Sequence, residues 1–160
     1  MVTVTSFSEV VAIVGFGSTA FMAGLLWVFA SSVMPGLDPI DPAESLKAMK
    51  VINRDIVTPI FVALFLASFV AAMAAVVVAI TSLPEDGWLL AAGVLHLVGF
   101  MAVTVIIHLP LNARIETLDD SPDALAEWKQ GASRWSRFNR LRATAAILSA
   151  VAYALHIALS

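Results

Sequence analysis

The sequence predicts an all-α membrane protein: four transmembrane helices in a bundle, with short interfacial helices at one face. Three observations predict it. Of 160 residues, 60% are hydrophobic and 13% charged, against about 45–50% and about 25% in a soluble domain. The charge-free stretches are long, with nothing ionisable between Ile56 and Pro84. Lysine and arginine are confined to two connecting segments. The chain, 1–160, reads as a single four-helix domain, because removing the apolar runs leaves no soluble unit of useful size.

The expected spans are residues 10–33, 57–83, 88–109 and 141–159. Each is close to the roughly 20 residues that cross about 30 Å of hydrocarbon at about 1.5 Å per residue. The first has no basic residues ahead of it and exceeds the roughly 7–15 residues of a signal-peptide core, so it reads as a retained span. Between spans one and two lies "DPAESLKAMKVINRD". Asp41 can N-cap a helix with Pro42 at its first position and Glu44 at capping-box spacing. Leu46, Met49 and Ile56 then recur near helical spacing, as in a short helix along the membrane surface. Between spans three and four, Ser121 and Pro122 start a second such helix, which carries Leu125, Trp128 and Trp135 on one face. Tryptophan suits the headgroup level, where its ring is apolar and its N–H finds a partner.

Orientation follows from charge. Lys47, Lys50 and Arg54 lie in the first long connection; Arg114, Lys129, Arg134, Arg137, Arg140 and Arg142 lie in the second or at the mouth of span four. Basic residues stay in the cytoplasm, so both termini are expected outside and both long connections inside. The turn "TSLPEDG" then faces outward. Zero cysteines exclude disulfides, thiolate metal sites and cysteine nucleophiles. The net charge of −3 gives nucleic-acid binding no support; the partner is the lipid bilayer.

Span four is entered through "SRWSRFNRLRATAAIL". At 100° per residue, Arg134, Arg137 and Arg140 share one side, where long stems snorkel and heads meet phosphates. Arg142 falls on the other side with Trp128, Trp135, Asn139, Ser149 and Tyr153. Such a polar and small stripe faces a bundle interior. Arg142 therefore closes the bundle floor in an ion pair or binds a ligand. Span three ends "TVIIHLPLNARIE", and Pro110 is expected to stop or kink the helix where His108 and Asn112 occur. His108 is either a general base or bonded to a carbonyl freed by that proline. Asn53 and Arg54 lead into span two, and Pro59 sits in its first turns. The unusual residues of all four spans gather at one face.

His96 and His156 are candidate haem ligands. They lie about 12 Å and about 6 Å inside their spans, a staggered pair. No His or Glu pair at i, i+3 or i+4 makes a metal site. Ala20 and Gly24 form a small-xxx-small step, a packing signal.

The order "VMPGL", "INRDIVTPIF", "HLPLN", "WSRFNRLRAT" resembles the four-helix bacterial and fungal membrane family that includes the anthrone oxygenases and is otherwise catalogued as a domain of unknown function. The resemblance runs from about residue 20 to 150. Its landmarks fall on Met34, Pro35 and Gly36, on Asn53, Arg54 and Pro59, on Pro110, Leu111 and Asn112, and on Trp135, Asn139, Arg142 and Thr144. The chain departs from it at Thr58 and His108, where the family tends to have asparagine, and at Arg140, where it tends to have histidine.

The resemblance implies an integral-membrane oxygenase-like enzyme, in the inner membrane if bacterial, acting on an anthrone-type or other lipophilic aromatic molecule near the cytoplasmic face. O2 would be co-substrate, with no cofactor or with metal assistance. In this chain His108, a departure from the family pattern, is the candidate base, with Arg142 and the donors of Asn53, Asn112 and Asn139 at the oxyanion; Arg54 and Trp135 would line the same pocket. Two other classes remain open: a non-enzymatic subunit docking a partner through its cytoplasmic helices, and a haem carrier using His96 and His156. A homo-oligomer is compatible with all three.

Overall fold

A computed structural model describes residues 6–81 and 87–160 as an all-helical membrane protein. Among the described residues, four helices are long and apolar enough to cross a membrane: α1 (Phe7–Leu37), α3 (Pro59–Thr81), α4 (Gly87–Thr117) and α5 (Pro122–Leu159). The shorter α2 (Pro42–Asp55) joins α1 to α3. Most of the expected outer turn, residues 82–86, lies outside the described residues.

Local chemistry sets each helix start. Ser6 and Glu9 close a reciprocal capping box on α1, with Glu9 N–H donating to Ser6 Oγ at 3.2 Å and Ser6 N–H to Glu9 Oε2 at 2.7 Å. Asp41 caps α2 by accepting from Ala43 N–H at 2.9 Å, with Pro42 in the first turn. Thr58 Oγ1 accepts from Phe61 N–H at 3.2 Å ahead of Pro59. A threonine there does the capping work an asparagine would do. Ser121 caps α5 through Ala124 N–H.

Three limits differ from the sequence expectation. First, the surface helix expected after Ser121 and span four are one helix of 38 residues, α5. Gly131 does not break it, since one glycine costs only about 1 kcal/mol inside a helix. Second, α4 does not stop at Pro110. Residues Leu95–Ala102 and Thr104–His108 are π-helical, and α geometry resumes at Leu109 with Pro110 in its first turn. The wide turn ahead of it, closed by Leu109 N–H on the Thr104 carbonyl, makes room for a ring that has no N–H to give the ladder. Third, α1 continues past Val33 by the same device. A π segment, Phe29–Val33, precedes α geometry at Met34–Leu37, with Pro35 in the first turn.

The core has three tiers. At the end distant from the basic residues, Val11, Ala12, Ala75, Ala79, Leu89 and Tyr153 pack together. Met22, Leu26, Phe100, Met101 and Ala146 fill the middle. At the basic end, Phe29, Leu46, Met49, Ile115, Trp128 and Trp135 form the third cluster, which pins α2 under the bundle. Small residues let backbones approach: a Cβ on Gly99 would lie 2.4 Å from Ala145 Cβ, and one on Gly15 would lie 2.5 Å from the Tyr153 ring. Outside, Phe21, Trp27, Ile60, Val70, Val98 and Ile106 are among many large apolar side chains left exposed, as lipid rather than water requires.

Candidate functional site

The polar stripe of α5 meets polar groups of α1 and α4 between the middle and basic tiers. Arg142 is only 7% exposed. Its Nη2 donates to Asn139 Oδ1 at 2.9 Å and its Nη1 to Thr104 Oγ1 at 3.3 Å. Thr104 spends its own hydrogen on the Phe100 carbonyl at 2.7 Å, so its oxygen faces the guanidinium as an acceptor. Asn139 Nδ2 donates across to the Leu26 carbonyl at 2.9 Å. The guanidinium carbon stands 5.8 Å from the Trp135 ring centroid, within cation–π range.

The ion pair expected as one role for Arg142 does not form. Among the described residues the two ion pairs are Arg54–Asp55 and Arg114–Glu127, both at the surface. Arg142 Nε has no hydrogen-bond partner. A cation buried without a carboxylate costs several kcal/mol. Charge-assisted hydrogen bonds of about 1.5–3 kcal/mol each offset part of it.

Trp135 joins the other residues. Its Nε1 donates to Asn112 Oδ1 at 2.9 Å, and its ring meets the His108 ring edge-on at 5.2 Å. His108 is buried with neither ring nitrogen in a hydrogen bond. The backbone of Val103 and of Trp135 lies nearby without closing one of normal geometry. Thus His108, Asn112, Trp135, Asn139 and Arg142 share one connected cluster. Asn53 is half-buried on α2 with its amide nitrogen unpartnered. Arg54 stands apart: it is exposed and bonded through Nε to Asp55 Oδ1 at 2.9 Å, and that bond favours its charged form.

Two participants escaped the sequence reading. Thr104 stands in an apolar span with no spacing signal of its own; it begins a π segment and accepts from Arg142. The Leu26 carbonyl carries no side-chain signal at all. The candidate haem ligand His96 is tied to its neighbours. Ser68 Oγ donates to the Phe65 carbonyl at 2.8 Å and so must accept from His96 Nε2 at 3.1 Å. Nδ1 is then the acceptor, with Thr19 Oγ1 at 3.5 Å. His96 thereby links α1, α3 and α4. His156 is buried on α5 near its last turn. Among the described residues, no three His, Asp or Glu gather closely enough to hold a metal ion.

Two cavities open between α1 and α5, one of about 550 Å³ that also reaches Pro42 and Ser45 of α2 and one of about 490 Å³, and neither is lined by His108 or Arg142.

Comparison with known proteins bears on residues 49–152, which match the family model described as anthrone oxygenase. No curated protein and no solved structure matches the chain.

Proposed function

The chain belongs to the anthrone oxygenase family, and from that premise we propose that it oxidises a lipophilic, anthrone-type aromatic molecule at the His108–Arg142 cluster. The observation that carries this reading is a buried arginine lacking a carboxylate, one ring away from a buried histidine whose ring nitrogens make no hydrogen bond of normal geometry.

The chemistry needs a base and a home for negative charge. His108 removes a proton from the acidified CH₂ beside the aromatic rings. The negative charge is delocalised through the ring system onto the conjugated carbonyl oxygen across the central ring, where Arg142, held by Asn139 and Thr104, receives it. Preorganised donors in a dry site supply such stabilisation without reorganising at the moment of reaction. The carbanion passes its electrons to O2, forming a C–O bond and a peroxide. Loss of water leaves a second carbonyl, so CH₂ and O2 become C=O and H₂O. O2 is co-substrate, and the residues themselves supply base and oxyanion donors.

His108→Ala tests the assignment. Turnover of an anthrone, followed by O2 uptake, should fall by about 10²–10⁴, the usual worth of a general base. The thermal unfolding midpoint should move little. Wild-type turnover in this variant would refute the role.

One observation favours a second reading. The unpartnered atoms of His108 and Arg142 are sealed from solvent, as in a subunit whose basic, tryptophan-bearing end docks a partner. Purification of the tagged chain with a stoichiometric second polypeptide, and no O2 uptake with anthrones, would favour it.

The proposed topology places the basic end in the cytoplasm and both termini outside. The chain has no cysteine, so single cysteines at Lys47 and at Ser160 should label from opposite sides of sealed vesicles.

A further inference from the structure

The two cavities lie on one seam. The cavity nearer the basic end runs between Ala30, Met34 and Leu37 of α1 and Lys129, Ser133, Ser136 and Arg140 of α5. The other runs between Ala20, Ala23 and Gly24 of α1 and Ile147, Val151 and Ala154 of α5. At 100° per residue, Lys129, Ser133, Ser136, Arg140, Ile147, Val151 and Ala154 all fall within about 40° of one line along α5. This line lies well away from the Arg142 stripe. The upper part of the seam offers only apolar side chains, and the lower part offers hydroxyls and two cations.

The vertical order can be read from one bond. Asn139 and Leu26 are hydrogen-bonded, so Arg140 stands near the level of Leu26. From there to Ala154 the seam climbs about 21 Å, more than half of a roughly 30 Å hydrocarbon core. Arg140 leans toward the N-terminus of α5, as helical side chains do, and so toward Ser136 and Ser133. Neither Arg140 nor Lys129 has an ion-pair partner among the described residues. Asp38, the acidic residue in the lower cavity, lies about 18 Å along α1 from the level of Leu26 and does not compete with Arg140 for an anion.

We infer that this seam is a binding site for one phospholipid of the leaflet at the basic end. Arg140, Ser136 and Ser133 hold its phosphate, and an acyl chain lies along Gly24, Ala20 and Val151. Arginine suits a phosphate because its fork donates two parallel bonds. The alternation of apolar above and basic below fits a phospholipid better than a second copy of the chain. A parallel two-fold pair across this seam would set Arg140 against Arg140.

The test is native mass spectrometry of the full chain in mild detergent, delipidated and then titrated with phosphatidylglycerol. One lipid should bind. Arg140→Gln combined with Ser136→Ala should weaken it at least tenfold. Gly24→Leu should do the same by filling the groove, because an added Cβ there meets nothing within 4 Å and the fold is not disturbed. Arg134→Gln, off the seam, should change nothing. Equal retention by all variants would overturn the site. So would loss with Gly24→Leu alone, equal binding of oleic acid, displacement by soluble glycerophosphate, or a changed oligomeric state in place of lost lipid.

Discussion

Asn139 turns its carbonyl to Arg142 and its amide nitrogen to the Leu26 carbonyl, each at 2.9 Å. The two ends cannot be exchanged, because the guanidinium only donates and the carbonyl only accepts. Asn139 thus fixes the arginine to α5 and fastens α5 to α1. Asn139→Leu should strip both bonds and cost about 1–3 kcal/mol for each buried group left unpaired, read from thermal unfolding in detergent. Asn139→Asp should separate stability from function. It gives Arg142 a counter-ion but turns a carboxylate oxygen to the Leu26 carbonyl. It should therefore unfold between wild type and Asn139→Leu, while O2 uptake by the folded protein falls. An active Asn139→Asp enzyme would contradict Arg142 as the oxyanion donor.

Gly99 sits against Ala145, and an added Cβ would come within 2.4 Å of the Ala145 Cβ. Gly99→Ala should destabilise by about 1–3 kcal/mol through overpacking. Ala145→Gly in the same chain should restore most of that loss, a coupling that a double-mutant cycle measures.

The His96 bonds to Ser68 and Thr19 predict a structural role. His96→Ala should cost two tertiary hydrogen bonds, about 0.5–1.5 kcal/mol each, with a cavity term added. The purified protein is expected to show no Soret absorbance. A Soret band that His96→Ala abolishes would make this histidine a haem ligand instead.

At the start of α5, Asp119 Oδ1 accepts from Ser121 Oγ at 2.6 Å and from Ser121 N–H at 3.0 Å. These bonds hold its carboxyl below the ordinary value of 3.8. A depressed folded value stabilises at pH above the ordinary one and is lost as the pH falls through the folded one. Amide protection in the first turn of α5 should therefore drop below about pH 3.8. Asp119→Asn keeps an acceptor and should remove that pH dependence.

The four spans were legible because charge is absent from them, and no fold detail is needed to read that. The α5 cluster was legible because Trp135, Asn139 and Arg142 are joined by an uninterrupted 3.6-residue period. Periodicity failed on α4, where π turns carry an extra residue per turn. Thr104 and His108 therefore could not be assigned a common face from spacing. Proline misled for the same reason at Pro35 and Pro110. The breaker is visible in the letters, but the wide turn that accommodates it is not. The bond from Arg142 to Thr104 was not legible either, since an acceptor on another helix leaves no mark at fixed spacing.

Those wide turns are where chain length has slack. Each π segment holds one more residue than an α turn would at the same height. Deleting one residue between Leu95 and His108 would let a wide turn tighten to an α turn, and the residues after it would keep their faces. Deleting one from the plain α geometry of Gly87–Val94 would instead turn everything after it by about 100°. Asn112 would then leave Trp135, and Ile115 would leave the core at the basic end, with every remaining residue intact.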